Sequence, residues 1–463
     1  MRKITFYLAV TLSLNFFPNH ALFADEISGL KEQLNEMREQ MKEQARAMEE
    51  MQRKIEMLES EKGERFSKAR AGKKLENAGK PDGGDVRVFW KNGLRFETPD
   101  KDFSLKAGGR IQVDFAGMGE DSEVKGKLGK LEHPAEFRRL RVYGSGTLFG
   151  NGVYKAQVDF AGGEVGFRDV YLGLKNIPFL DLFRVGQYTA PFSLEDMTSS
   201  NHITFLERSL PYALSLHRNT GIGFNSSHLD ERLTLSSALF FNSDDNSAIP
   251  LSNALNSATR VTGLAWYENQ GERLLHLGAA YCYRNPTNEN KTDFRYSSSP
   301  EIHLAPDFVD TGEFSGRYAN LVGLESALVY GPFSLQGEFI QSFVNRKDSS
   351  AVGYFDGFYV YASYFLTGEH RNYDKFWGVF SAVKPLKNFS FKERAFGALE
   401  LAARYSYLDF CSDDINGGAL SDITAGCNWY LNANMKVMLN YVHAHPNGVG
   451  NADIVAVRCQ VYY

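Results

Sequence analysis

Cysteine is scarce in this chain, four residues in 463. Cys282, Cys411, Cys427 and Cys459 lack metal-ligand spacing, and Cys427 and Cys459 fall at apolar-face positions of predicted strands, where a thiol serves as a small hydrophobe. Neither a disulfide framework nor a metal centre is expected. Beyond Phe17 there is no apolar run long enough for a membrane helix, and mean hydropathy is −0.34. That excludes a helical membrane protein but not a barrel, whose strands are apolar on one face only. Positive charge is not in excess either: the net charge of −5 argues against a nucleic-acid-coating protein. Catalytic constellations are missing too. No nucleophile elbow, paired zinc ligand or phosphate-binding loop occurs, and His202, His217, His276, His303, His370, His443 and His445 are scattered. The expectation is a non-enzyme without cofactor. Proline, finally, numbers 14 against 42 Gly, 35 Phe and 23 Tyr, a composition suited to a glycine-rich, aromatic-girdled barrel wall.

The N-terminus predicts export. Arg2 and Lys3 precede an apolar run from Ile4 to Phe17 and a small-residue site at Ala24, so 1–24 reads as a signal peptide. Over 25–62 the residues Ile27, Leu30, Leu34, Met37, Met41, Gln44, Met48, Met51, Ile55 and Leu58 alternate at spacings of three and four. A seam so narrow buries itself only against other helices, which predicts a self-associating α-helical coiled coil. Its mixed core does not choose between dimer and trimer. Residues 63–85, charged and glycine-rich, read as a linker, and 86–463 as one β domain.

From Phe103 onward the chain alternates with period two. In FSLKAGGRIQVDF, Phe103, Leu105, Ala107, Ile111, Val113 and Phe115 point one way, and Ser104, Lys106, Arg110, Gln112 and Asp114 the other. Similar segments recur near 135–148, 153–161, 165–175, 180–189, 217–227, 232–242, 259–268, 273–284, 317–330, 333–344, 355–366, 396–408, 422–431, 435–444 and 454–463. About sixteen antiparallel strands form a transmembrane barrel on this reading. In the last of them Val455, Val457, Cys459, Val461 and Tyr463 share the lipid face and Arg458 points inward, the strand closing against the first. Short connections share one parity, expected to be periplasmic, and 117–134, 190–216, 243–258 and 285–316 share the other. The long segment 367–395 breaks the rule and is a place for an extra hairpin.

Lumen chemistry then rests on inward charges. Lys106, Arg110, Arg139, Arg141 and Lys155 on the first three strands are close enough to form one basic patch, with Arg184, Arg404 and Arg458 adding to it. Rows of Arg and Lys select anions because charge and directed donors replace lost hydration. Cross-strand pairing with acidic residues is the competing role, and Glu400 with Arg404 is expected as such a wall pair. By alternation Arg138 is expected to face outward. The amphipathic loop 190–216, with Glu195, Asp196, Glu207 and Arg208, is the candidate constriction.

WKNGLRFE with FSLKAGGRIQVDF, EFRRLRVYGSGTLFG, FRDVYLGL, RVGQYTAPFSLEDMTSS with FLERS, and ALELAARYSYLD together resemble the phosphate-selective porin O and P family, from about residue 88 to the C-terminus. The resemblance implies a homotrimeric sixteen-stranded channel in the bacterial outer membrane, passing phosphate, pyrophosphate or related anions along an arginine ladder. Arg110, Arg139 and Arg141 match its motifs, while Tyr188 stands where the family usually has lysine. The expected partners are outer-membrane lipid, small anions as solutes and two further copies, with the coiled coil in the periplasm. The alternatives are a non-selective porin, a structural or adhesive barrel tethered to the cell wall through the coiled coil, and an outer-membrane hydrolase.

Overall fold

The computed structural model describes residues 86–91, 93–243, 255–286, 293–347 and 351–463. The expected signal peptide, coiled coil and linker lie outside them. Sixteen strands form the wall: β1 (Ser104–Glu120), β2 (Ala135–Leu148), β3 (Gly152–Asp159), β4 (Gly166–Ile177), β5 (Leu180–Thr189), β6 (Arg218–His228), β7 (Leu233–Phe241) and β8 (Leu255–Glu268), then β9 (Arg273–Arg284), β10 (Phe314–Tyr330), β11 (Phe333–Arg346), β12 (Val352–Phe365), β13 (Ala398–Ser412), β14 (Ile415–Asn432), β15 (Met435–Pro446) and β16 (Ala452–Tyr462). Each pairs antiparallel with its sequence neighbours, and β16 pairs with β1, from Ala452 opposite Glu120 to Tyr462 opposite Arg110. The sheet is therefore closed, and every strand predicted from alternation is present.

Closure is completed past the last ladder pair. Tyr463 exchanges two backbone hydrogen bonds with Gly109, at 2.9 and 3.0 Å. Glycine is required beside it, because a Cβ on Gly108 would meet the Tyr463 carbonyl and the Tyr143 ring. Below that point a hairpin, Arg87–Trp90 and Leu94–Glu97, pairs through Leu94–Glu97 with residues 104–107 of β1. The edge of β1 is thus covered along its length, by β16 and then by this hairpin.

The outer face is apolar where alternation requires it: Phe115, Phe137, Leu172, Ile222, Leu324, Leu401 and Val455 are all exposed. Tyr330, Phe333 and Tyr364 are exposed near one rim and Tyr354 and Tyr441 near the other, as interfacial aromatic belts demand. The inner face is largely covered because three connections fold inward. Two belong to the long-loop end, 190–217 and, of the connection after β9, the described residues 293–313. The third is 366–397, at the short-turn end. It contains the small hairpin the sequence hinted at, Tyr373–Asp374 against Val379–Phe380, and it is held inside the barrel rather than hanging from its rim. Arg260 of β8 donates to the Trp377 and Gly378 carbonyls at 3.2 and 2.8 Å, and His276 of β9 meets the Tyr373 hydroxyl at 2.6 Å.

Candidate functional site

The segment 190–217 leaves β5 and crosses the lumen. Ser193 caps a short helical turn, Leu194–Met197, and the turn's Leu194 and Glu195 amides donate to Glu338 of β11, both at 2.8 Å. Farther on, backbone carbonyls accept from inward side chains: Ser200 from Gln112 (β1), Asn201 from Gln460 (β16), Ile203 from Lys436 (β15), Thr204 from Asn428 (β14) and Glu207 from Arg404 (β13), at 2.7 to 3.2 Å. Those strands run from a quarter of the way round the barrel from β5, at β1, to halfway round, at β13 and β14. A buried loop must satisfy its own backbone, and here polar wall residues do so while Leu194, Ile203, Phe205 and Leu206 are buried.

Between this crossing and the wall of β1–β6 lies a cavity of about 470 Å³. Nine of its lining residues are Arg or Lys and three are Asp, so the passage is strongly basic. Arg110 and Arg141 are directly opposed across β1 and β2. Arg141 is matched by Asp159 at 2.7 Å, and Lys155 by Asp169 at 2.5 Å. Among the described residues Arg110 bonds the Ser200 hydroxyl at 2.6 Å and has no carboxylate within ion-pair distance.

The sequence-predicted residues divide accordingly. Arg110, Arg139, Arg141, Lys155 and Arg184 line the cavity, whereas Lys106 stands apart, its ammonium 5.2 Å from the Tyr143 ring centre. The Arg184 guanidinium lies over Tyr188 at 4.1 Å and Trp377 at 4.7 Å, so Tyr188 serves as a stacking face for a cation. Arg458 is fixed by Asp114, its cross-strand partner, at 2.6 Å, and by Glu207 at 2.6 Å. Of the loop residues, Asp196 and Arg208 line the cavity, Glu207 faces Arg138, Arg139 and Arg458, and Glu195 turns away to Arg404 at 3.3 Å.

Two expectations are corrected. Arg138 points inward, at 2.9 Å from Glu207, because a β-bulge sets Gln112 opposite Arg139 and Val113 opposite Phe137. The extra residue breaks the alternation and turns two consecutive arginines into the lumen. Arg404 does not pair with Glu400. Four residues along one strand span roughly 13 Å, and Arg404 instead bonds Glu301 of the 285–313 loop at 2.5 Å while Glu400 accepts from Asn428 and Tyr430. Burial pushes the Glu301 carboxyl up, against the pull of Arg404.

Arg168, Arg218 and Glu301 were not found from sequence. Arg168 pairs with Asp159 at 3.2 Å and Arg218 with Asp169 at 2.9 Å, both at strand starts where periodicity has barely begun. Glu301 sits in a loop, which carries no periodic signal. Arg260 and His276, by contrast, lie at inward positions of β8 and β9 that alternation does mark.

The family model for phosphate-selective porin O and P matches residues 105–463. Porin O of Pseudomonas aeruginosa is 26% identical over 410 residues, covering 80% of this chain and 89% of that protein. An uncharacterized protein of Caulobacter vibrioides is 28% identical over 372 residues, covering 78% and 72%. Among solved structures, in-vitro folded OmpT, an outer-membrane protein of Vibrio cholerae, superposes with a TM-score of 0.51 at 11% identity, covering 78% of this chain and 98% of its own. The trimer form of OmpT gives 0.50 at 12% identity, covering 78% and 99%. At these identities the likeness to OmpT is one of fold.

Proposed function

The chain belongs to the phosphate-selective porin O and P family, and on that premise we propose that its barrel is an anion-preferring passive diffusion channel of the outer membrane. The observation that carries this reading is the basic cavity beside the crossing loop, with Arg110 in no ion pair among the described residues. A passing anion supplies the charge that the wall leaves out, and guanidinium forks offer directed donors to its oxygens. Arg110, Arg138, Arg139, Arg141 and Lys155 are assigned to the pathway. Arg404 and Arg458, locked in ion pairs, are assigned to holding the loops that narrow it. Phosphate and related oxyanions are the proposed solutes, which the family description supports. Transport follows the solute gradient and involves no covalent chemistry.

The proposed assembly is a homotrimer, as in the trimer form of OmpT. Residues 25–62 form a periplasmic coiled coil in this reading, joined by the 63–85 linker to the barrel domain, and the short-turn end faces the periplasm.

Reversal potentials in planar bilayers under a KCl gradient test the reading. Anion preference is expected, and cation preference would sink it. Changing Arg139 and Arg141 together to Glu should lower or invert the preference.

A further inference from the structure

A second cavity, of about 360 Å³, lies on the long-loop side of the first, between the crossing loop and 285–313. Arg138, Arg208 and Tyr212 line both cavities; Glu207 lines only the outer one. The Glu207 side chain is 14% exposed and stands where the two meet. Its Oε1 accepts from Arg138 Nε at 2.9 Å, Arg458 Nη2 at 2.6 Å and, more loosely, Arg139 Nη1 at 3.4 Å. Its Oε2 accepts from Arg138 Nη2 and Arg139 Nη2, both at 3.2 Å. Two adjacent oxygens thus meet two guanidinium forks from neighbouring residues of one bulge. That donor set suits a free oxyanion equally well, since phosphate or carboxylate presents the same pair of oxygens.

We infer that Glu207 is a resident competitor for the permeant anion: its carboxylate occupies Arg138 and Arg139 at rest, and an oxyanion entering from the outer cavity displaces it. Arg458, held separately by Asp114 at 2.6 Å, keeps Glu207 within reach when it leaves the other two. The bound carboxylate lowers the affinity of the site, which lets an ion leave as readily as it enters, a condition for conduction. Glu207 is in this sense a specificity-determining residue, and the inference rests on the anion-channel reading above.

The test is Glu207→Gln, with inorganic phosphate titrated against chloride current in planar bilayers. Removing one negative charge from contact with the forks is expected to lower the half-blocking phosphate concentration about tenfold and to shift the reversal potential further toward anions. If half-block and reversal potential both stay at wild-type values, the inference is overturned. It is equally overturned if conductance alone rises, because Glu207 then merely fastens the loop. Arg138→Gln provides an independent arm: half-block should move to higher phosphate, and an unchanged value contradicts the displacement. A wild-type channel that prefers cations overturns the anion reading itself. An anion-preferring wild type with unaltered variants overturns only the role of Glu207.

Discussion

Arg110 of β1 and Arg141 of β2 stand directly opposite one another in the ladder. Like charges in that position are destabilising by up to about 1 kcal/mol, and among the described residues only Arg141 of the two is in an ion pair, with Asp159. On the proposed anion pathway, a passing anion would be the negative group that offsets the two facing guanidiniums. Arg110→Met is therefore expected to reduce the anion-to-cation permeability ratio severalfold while leaving barrel stability in detergent unchanged or slightly higher. Reversal potentials and urea titration read the two effects; an unaltered ratio would place Arg110 outside the pathway.

Arg404 joins two loops to the wall. Its side chain is fully buried, at 2.5 Å from Glu301 and 3.3 Å from Glu195. Removing one member of such a network leaves uncompensated charge in a dry site, at a cost of about 3–5 kcal/mol. Arg404→Met should lower the temperature at which the folded barrel loses its compact electrophoretic mobility. It should also expose 285–313 to proteolysis while the barrel is still folded.

Acid should act through Glu207. Burial would raise its carboxyl, but Arg138, Arg139 and Arg458 outweigh burial and hold it well below the usual carboxylate range. A group depressed in the folded state stabilises fully above its unfolded value, and that stabilisation drains away as pH falls through the folded one. Barrel stability is therefore expected to hold from neutral pH to about pH 5 and to fall below it. Glu207→Gln should show a shallower acid limb in the same melting series.

Much of this was legible in the residues themselves. All sixteen strands follow from alternation, because one face must meet lipid and the other the lumen, and the parity of their connections follows from loop length, with the segment after Phe365 as the exception. Arg138 escaped because a bulge adds one residue without altering composition, and period-two reasoning then assigns the wrong face. Glu400 and Arg404 were matched by charge, though strand geometry sets them too far apart. The inward course of 366–397 depends on Arg260 donating to Trp377 and Gly378 carbonyls more than a hundred residues away, and no local pattern reports so distant a bond. The Glu195–Arg404–Glu301 junction is of the same kind, three residues from three separate segments.

The crossing segment 190–217 carries a mechanical consequence. Continuous with β5 and β6 and bonded to β11, β13, β14, β15, β16 and β1, it is a chord that fans out to many points of a ring. A ring with a chord resists flattening along that diameter, so the peptide that sets the bore also sets the stiffness of the cross-section. Sequence changes that detach it widen the passage and soften the tube in one event. Permeability and rigidity cannot drift independently in this barrel.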